Sequence, residues 1–174
     1  MKIVFAEIAK ETRFEEPVAA QVLDLGYSYS ASVEATVLEV TAAPIQGGCH
    51  LRGSFPYRGT MPCGRCLTPV PVSGEARFSL NYYPASAAPP REEETEVPLE
   101  ETEDLYVEED HVTPEALVTQ QLYLELPEKV LCGDGCLGLC IRCGADRNRG
   151  GCSCPPEPDP RWDALRTLDH TRKE

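Results

Sequence analysis

Six cysteines fall within twenty-three residues of one another, Cys132, Cys136, Cys140, Cys143, Cys152 and Cys154, and a separate Cys63-Gly64-Arg65-Cys66 pair lies far upstream. These eight thiols suffice for two four-cysteine metal sites. Thiolate is a soft ligand that selects zinc, and a closed shell of four thiolates is structural, whereas a catalytic zinc keeps one position open. Residues 128–158 are rich in Gly, Cys and Pro, and their aliphatic residues, such as Val130, Leu131, Leu137, Leu139 and Ile141, are too sparse for a core of their own. Metal is expected to hold this stretch. Structural zinc peptides bind their ion with about 10–16 kcal/mol, enough to organise a segment of this kind.

A disulfide framework is the competing use of the cysteines, and it requires an oxidising compartment. The start of the sequence, Met1 to Glu7, has only a short apolar run before an acid, which does not read as a signal peptide. No stretch approaches the ~18 apolar residues of a membrane span. The expectation is a cytoplasmic chain with reduced thiols, where metal binding is favoured over disulfides and over a redox dithiol at Cys63 and Cys66. Cys140-Ile141-Arg142-Cys143-Gly144 has the two-residue gap and following glycine of a zinc knuckle, and Cys152 and Cys154 are its nearest partners in sequence. That leaves Cys63 and Cys66 to join Cys132 and Cys136. One or two zinc ions per chain are expected, since spacing fixes the number of ligands more firmly than their partition. Cys49 has no partner at ligand spacing and reads as a buried core thiol, while His50, His111 and His170 read as surface or loop residues.

The fold class expected is α+β: mainly an antiparallel β-sheet or open barrel, one or two short helices, and a C-terminal cysteine-rich zinc module. Residues 1–83 read as the β domain. Period-two stretches run through Val33, Ala35 and Val37, then Cys49, Leu51, Phe55 and Tyr57, then Val70, Val72, Ala76, Phe78, Leu80 and Tyr82. Gly47-Gly48 marks one turn, and the Cys63/Cys66 pair falls at the tip of the next hairpin. A short strand at 3–8 is expected to join the same sheet. Residues 10–30 are ambiguous, with Phe14, Val18, Val22 and Leu25 compatible with a short helix or irregular packing. Thr113-Pro114-Glu115 combines a capping side chain, a first-turn proline and an acid at the positive end of the dipole, and predicts a helix ended by Pro127. Residues 111–127 are therefore read as a helix on the sheet. Residues 128–174 form the zinc module, closed by a second short helix over 159–168 whose Trp162, Leu165 and Leu168 share a face.

The net charge is −13, and residues 91–110 account for most of it, with eleven Asp or Glu against the single Arg91. They follow the Ala- and Pro-rich 84–90, so 84–110 is read as an acidic flexible loop, either a solvated linker or a mimic of nucleic acid. An acidic chain argues against non-specific DNA binding, which depends on neutralising phosphates. There is no nucleophile elbow, no phosphate-binding glycine loop and no carboxylate pair in a pocket context, so no enzyme, small-molecule substrate or membrane partner is expected.

Several motifs together resemble the YceD family of large ribosomal RNA subunit accumulation proteins. They are Cys63-Gly64-Arg65-Cys66-Leu67, Leu124-Glu125-Leu126-Pro127, the stretch from Leu137 to Asn148 with Cys152-Ser153-Cys154, and Asp159-Pro160-Arg161 followed by Leu165 and Leu168. Ile141 departs from the pattern, since proline is more usual there. The resemblance implies a non-catalytic, zinc-binding role in the synthesis, processing or accumulation of large-subunit ribosomal RNA. The partner would be that RNA, its precursor, or a preribosome or RNA-processing protein. Arg142, Arg147, Arg149, Arg161 and Arg166 are candidates for contacting phosphates or unpaired bases. They have a blander use in balancing thiolate charge, and the alternative function is a zinc-stabilised protein adaptor that never touches RNA.

Overall fold

The computed structural model describes residues 2–26, 29–88, 104–155 and Arg161. Four long stretches dominate it, each running antiparallel to the next. The first comprises β2 (Thr12–Val18) and β3 (Gln21–Gly26), the second β4 (Tyr29–Val33) and β5 (Thr36–Ile45), the third β6 (Gly48–Pro62) and the fourth β7 (Pro69–Pro84). β2 pairs with β5 and β3 with β4 in one register as far as Asp24, beyond which a bulge shifts it, so these four are the two arms of a single long hairpin, broken at the same level on both sides. The second arm lies along β6, and β6 pairs with β7 over almost its whole length.

The break at 34–35 exists because the buried side changes there. Ala31 and Val33 face the core in β4, whereas Leu38, Val40 and Ala42 do so in β5, a shift from odd to even positions. Side chains alternate strictly along a strand, so an extra residue is needed to make the exchange. The register against β6 slips by one residue at this point, while β6 keeps Cys49, Leu51, Phe55, Tyr57 and Met61 inward without interruption. The expected simple alternation of Val33, Ala35 and Val37 is therefore corrected: Val33 is buried and Val37 is 49% exposed.

Other boundaries also differ from expectation. Residues 12–18 and 21–26 are strands rather than a helix, and Val22 is 73% exposed. The N-terminal strand β1 is only Ile3–Val4, and it pairs with β9 (His111–Val112) in a separate two-stranded sheet. Within the stretch expected to be a loop, Ala85–Ala87 form a 3₁₀ turn, and β8 (Asp104–Val107) pairs in parallel with the end of β7. Leu105 in β8 packs partly buried against the core, which gives the strand a reason to dock despite its acidic surroundings. The remainder of that expected loop, 89–103, lies outside the described residues, as do most of the second helix expected over 159–168 and His170. His50 sits in β6 and bonds Ser79 at 3.0 Å, and the largely buried His111 lies between Glu109 and Asp110.

The helix α1 spans Pro114–Glu125, with the Thr113 hydroxyl accepting from the Ala116 N–H at 3.2 Å and proline in the first turn. It packs on β2 and β3 as well as β7, bridging regions of the curved sheet that do not pair with each other. Leu117, Val118 and Leu122 enter the core beside Tyr82, whose hydroxyl donates to Gln120 Oε1 at 2.9 Å. Phe5 closes one end of this core against the Tyr82 ring, with centroids 5.9 Å apart. The result is a mainly antiparallel sheet wrapped on one helix, with no closed barrel among the described residues. Cys49 is fully buried in that core, a packing residue as expected.

Candidate metal centres

β6 ends at Pro62 and β7 begins at Pro69, so the Cys63/Cys66 pair sits in the hairpin tip between them. The chain leaving α1 runs back past this tip, and the Gly64 N–H donates to the Val130 carbonyl at 2.9 Å. That path delivers Cys132 and Cys136. The four Sγ atoms of Cys63, Cys66, Cys132 and Cys136 all lie within 4.8 Å of one another, and those of Cys140, Cys143, Cys152 and Cys154 do the same. These are the two sets that sequence proximity suggested.

The first tetrad is buried except for the exposed Cys132, and the second is half exposed. Cys63, Cys66 and Cys136 form a small core of their own with Val70, Leu131 and Leu139, whereas every member of the second set meets solvent to some degree. In the first, Cys63 Sγ lies 3.8 Å from Cys136 Sγ and Cys66 Sγ lies 3.5 Å from Cys132 Sγ. A tetrahedron with metal–sulfur distances of about 2.3 Å has edges of about 3.8 Å, so this spacing fits a four-thiolate zinc site. None of the nine cysteines is in a disulfide.

Both Cys-x-x-Cys loops have one backbone design. The Cys63 N–H donates to the Thr68 carbonyl at 2.9 Å, and the Leu67 N–H donates back to the Cys63 carbonyl at 3.0 Å. In the second loop the Cys140 N–H donates to Ala145 and the Gly144 N–H to Cys140, each at 2.8 Å. The fourth residue after the first cysteine is left-handed in both, Leu67 at φ 64° and Gly144 at φ 72°. This fold of the chain turns amides toward the first sulfur. Burial pushes the Cys63 thiol up, but the N–H groups of Cys66, Arg65 and Cys132 more than reverse this and lower it to about 6. The N–H groups of Cys143 and Arg142 lower Cys140 to about 6 in the same way. Thr68, bonded through its hydroxyl, lowers Cys66. The late-arriving thiols behave oppositely: neighbouring Cys136 and Cys66 sulfurs with burial raise Cys132 to about 12, and Cys143 with burial raises Cys154 to about 12. In each tetrad the amides thus favour the thiolate at the first knuckle cysteine, Cys63 or Cys140.

Residues 51–169 match the family described as Large ribosomal RNA subunit accumulation protein YceD. The chain belongs to the YceD family. The matched stretch begins within β6 and takes in α1 and all eight clustered cysteines. Uncharacterized proteins of Mycobacterium bovis and of two Mycobacterium tuberculosis strains are each 30% identical to it over 133 residues, covering 74% of this chain and 59% of theirs. The alignment thus spans less than two thirds of the length of these relatives. No solved structure matches the chain.

The candidate RNA-contact arginines are not gathered into one patch. Arg142 and Arg147 line a cleft of about 640 Å³ beside the second tetrad, together with Leu137, Leu139, Ile141 and Pro155. Arg149 instead reaches Asp146, with Nε 3.4 Å from Oδ2. Arg161 is exposed, and Arg166 lies outside the described residues. Sequence reasoning missed Arg65, which donates to the Cys136 carbonyl at 2.9 Å and so ties the hairpin tip to the first tetrad's last ligand. It also missed Asn148, whose Nδ2 donates to Cys136 Sγ at 3.5 Å. Neither an arginine between two cysteines nor an asparagine twelve residues from its sulfur carries a signal in the sequence. Among the described residues no helix is long and apolar enough to cross a membrane.

Proposed function

We propose that the chain is a non-catalytic, cytoplasmic factor that holds two structural zinc ions and supports the accumulation of large-subunit ribosomal RNA by contacting that RNA or its precursor. Cys63, Cys66, Cys132 and Cys136 hold one ion, and Cys140, Cys143, Cys152 and Cys154 the other. Four thiolates in each set favour zinc over harder cations and leave no open position for a reacting water. The observation that carries the RNA assignment is the cleft beside the second tetrad. Its lining joins two guanidiniums, those of Arg142 and Arg147, to the exposed aliphatic side chains of Leu137 and Ile141. An unpaired nucleotide needs this combination, an apolar surface for the base and cations for its phosphate. Ile141, at the position where a proline is more usual in the family, is 94% exposed at its rim.

Ultraviolet crosslinking of the tagged protein in its own cells, followed by sequencing of attached RNA, tests this reading. Crosslinks enriched at defined positions of the large-subunit RNA are expected, and Arg142→Glu with Arg147→Glu should reduce them at least tenfold while both zinc ions stay bound. Background crosslinking by a fully metallated protein would reject direct RNA contact and leave the adaptor role, in which the same cleft receives a protein.

A further inference from the structure

The loop that completes the second tetrad also reaches into the first. Asn148 lies between Cys143 and Cys152, yet its Nδ2 donates to Cys136 Sγ at 3.5 Å and its Oδ1 accepts the Leu137 N–H at 2.8 Å. Asp146 holds that side chain in place, its Oδ1 accepting from Asn148 Nδ2 at 2.8 Å and from the Asn148 N–H at 2.9 Å. Arg149 engages the other oxygen of Asp146. The backbone is pinned as well, by a bridge between Leu139 and Asp146 and by the Arg147 N–H donating to the Gly138 carbonyl at 2.9 Å.

Little apolar packing supports this loop. Arg147, Asn148, Arg149, Gly150 and Gly151 are all exposed. Beyond its hydrogen bonds to residues 137–139, its order comes from its two ends, and both are ligands of the second tetrad, Cys143 before it and Cys152 after it. When those ligands are gathered the loop is closed and the Asn148 amide faces Cys136. When they are not, the entropy of placing that amide falls on the first tetrad.

We propose that Asn148 is a positioning residue that couples the two tetrads, so that zinc in the second raises the affinity of the first. This rests on the reading that both tetrads bind zinc. An N–H donated to a metal-bound thiolate disperses its charge and fixes its direction, and removing such an outer partner typically weakens binding by about 10–100-fold. Because coupling is reciprocal, the first ion strengthens the second by the same factor.

The test is competition for zinc between a chromophoric chelator and six forms of the full chain. Cys152→Ser with Cys154→Ser leaves the first tetrad alone, and Cys63→Ser with Cys66→Ser leaves the second. Asn148→Asp, which keeps an acceptor for Leu137 but loses the donors to Cys136 sulfur and to Asp146, is added to the wild type and to each of these. The expected result is that the first tetrad loses about 10–100-fold in affinity without the second, and a similar factor from Asn148→Asp. Combining the two changes should cost no more than ~3-fold beyond either one, and Asn148→Asp should leave an isolated second tetrad unchanged. Equal affinity of the first tetrad with and without the second would overturn the coupling. Effects that multiply would remove Asn148 from it. A wild-type chain that binds two ions independently contradicts the coupling alone, whereas one that binds none contradicts the zinc reading beneath it.

Discussion

Leu67 and Gly144 hold the same position in two loops of the same design, and the left-handed backbone there is hard for one of them. For an L-residue with a Cβ this conformation costs about 1–2 kcal/mol, whereas glycine adopts it without strain and gives back about 0.5–1 kcal/mol through its freer unfolded chain. Leu67 is 48% exposed, so its side chain recovers only part of that cost by packing. Leu67→Gly should therefore stabilise the metal-loaded protein by roughly 0.5–1 kcal/mol, read as an increased denaturation midpoint with unchanged slope. A lower midpoint would mean that the leucine packs well enough to outweigh its backbone. The contrast also marks what single residues disclose. Gly144 was legible as part of a knuckle because glycine after the second cysteine is the residue such a turn favours. Leu67 carried no such sign, and the equivalence of the two loops emerged only from their hydrogen bonds.

Among the elements, β6 and β7 were legible because their inward residues keep one parity from end to end, and α1 because its cap and proline lie next to each other in sequence. The arm formed by β4 and β5 was not, since the change of parity at 34–35 breaks the period that identifies a strand. The site of that bulge has a close approach opposite it. A Cβ on Gly59 would collide with the Ser32 carbonyl oxygen and come within 3.1 Å of Val33 Cα, both of them backbone atoms that cannot swing aside. Gly59→Ala should push β4 from β6 and destabilise the fold by about 2–3 kcal/mol. Gly133→Ala, where an added Cβ meets nothing within 4 Å and φ is not left-handed, should stay within about 0.5 kcal/mol of wild type. Equal midpoints for the two variants in chemical denaturation would show that the strands can part at no cost, and that the bulge, not the glycine, sets their spacing.

Across the molecule, the described residues form two cores of different physical kinds. One is apolar, running from Ile3 and Leu23 through the sheet to Leu117 and Leu122, and the other consists of Cys63, Cys66 and Cys136 with a few partly buried aliphatic residues. The division was legible in the composition of 128–158, where aliphatic residues are too few to bury. The parallel seat of β8 beside β7 was not legible, because such a pairing depends on a connection through 89–103 and not on any pattern within four residues. Val130 joins the two cores, packing on the apolar one while its carbonyl accepts from Gly64 in the hairpin tip. Removing metal should therefore dissolve one core and spare the other. Four uncompensated thiols close together cannot all remain ionised, and without the ion the first tetrad keeps only the packing of Leu131, Leu139 and Val70 and a few hydrogen bonds such as that from Arg65 to the Cys136 carbonyl. If the tetrads hold metal as proposed, a strong chelator should abolish amide-exchange protection at Cys63, Leu67, Leu139 and Cys140, while amides of Leu51, Phe55 and Phe78 exchange as slowly as before. The sheet core has the apolar area to persist alone, and its strands pair with one another and not with the cysteine loops. Loss of protection in both groups together would mean that the first tetrad, by pinning residues 66 positions apart, is required to keep α1 on the sheet.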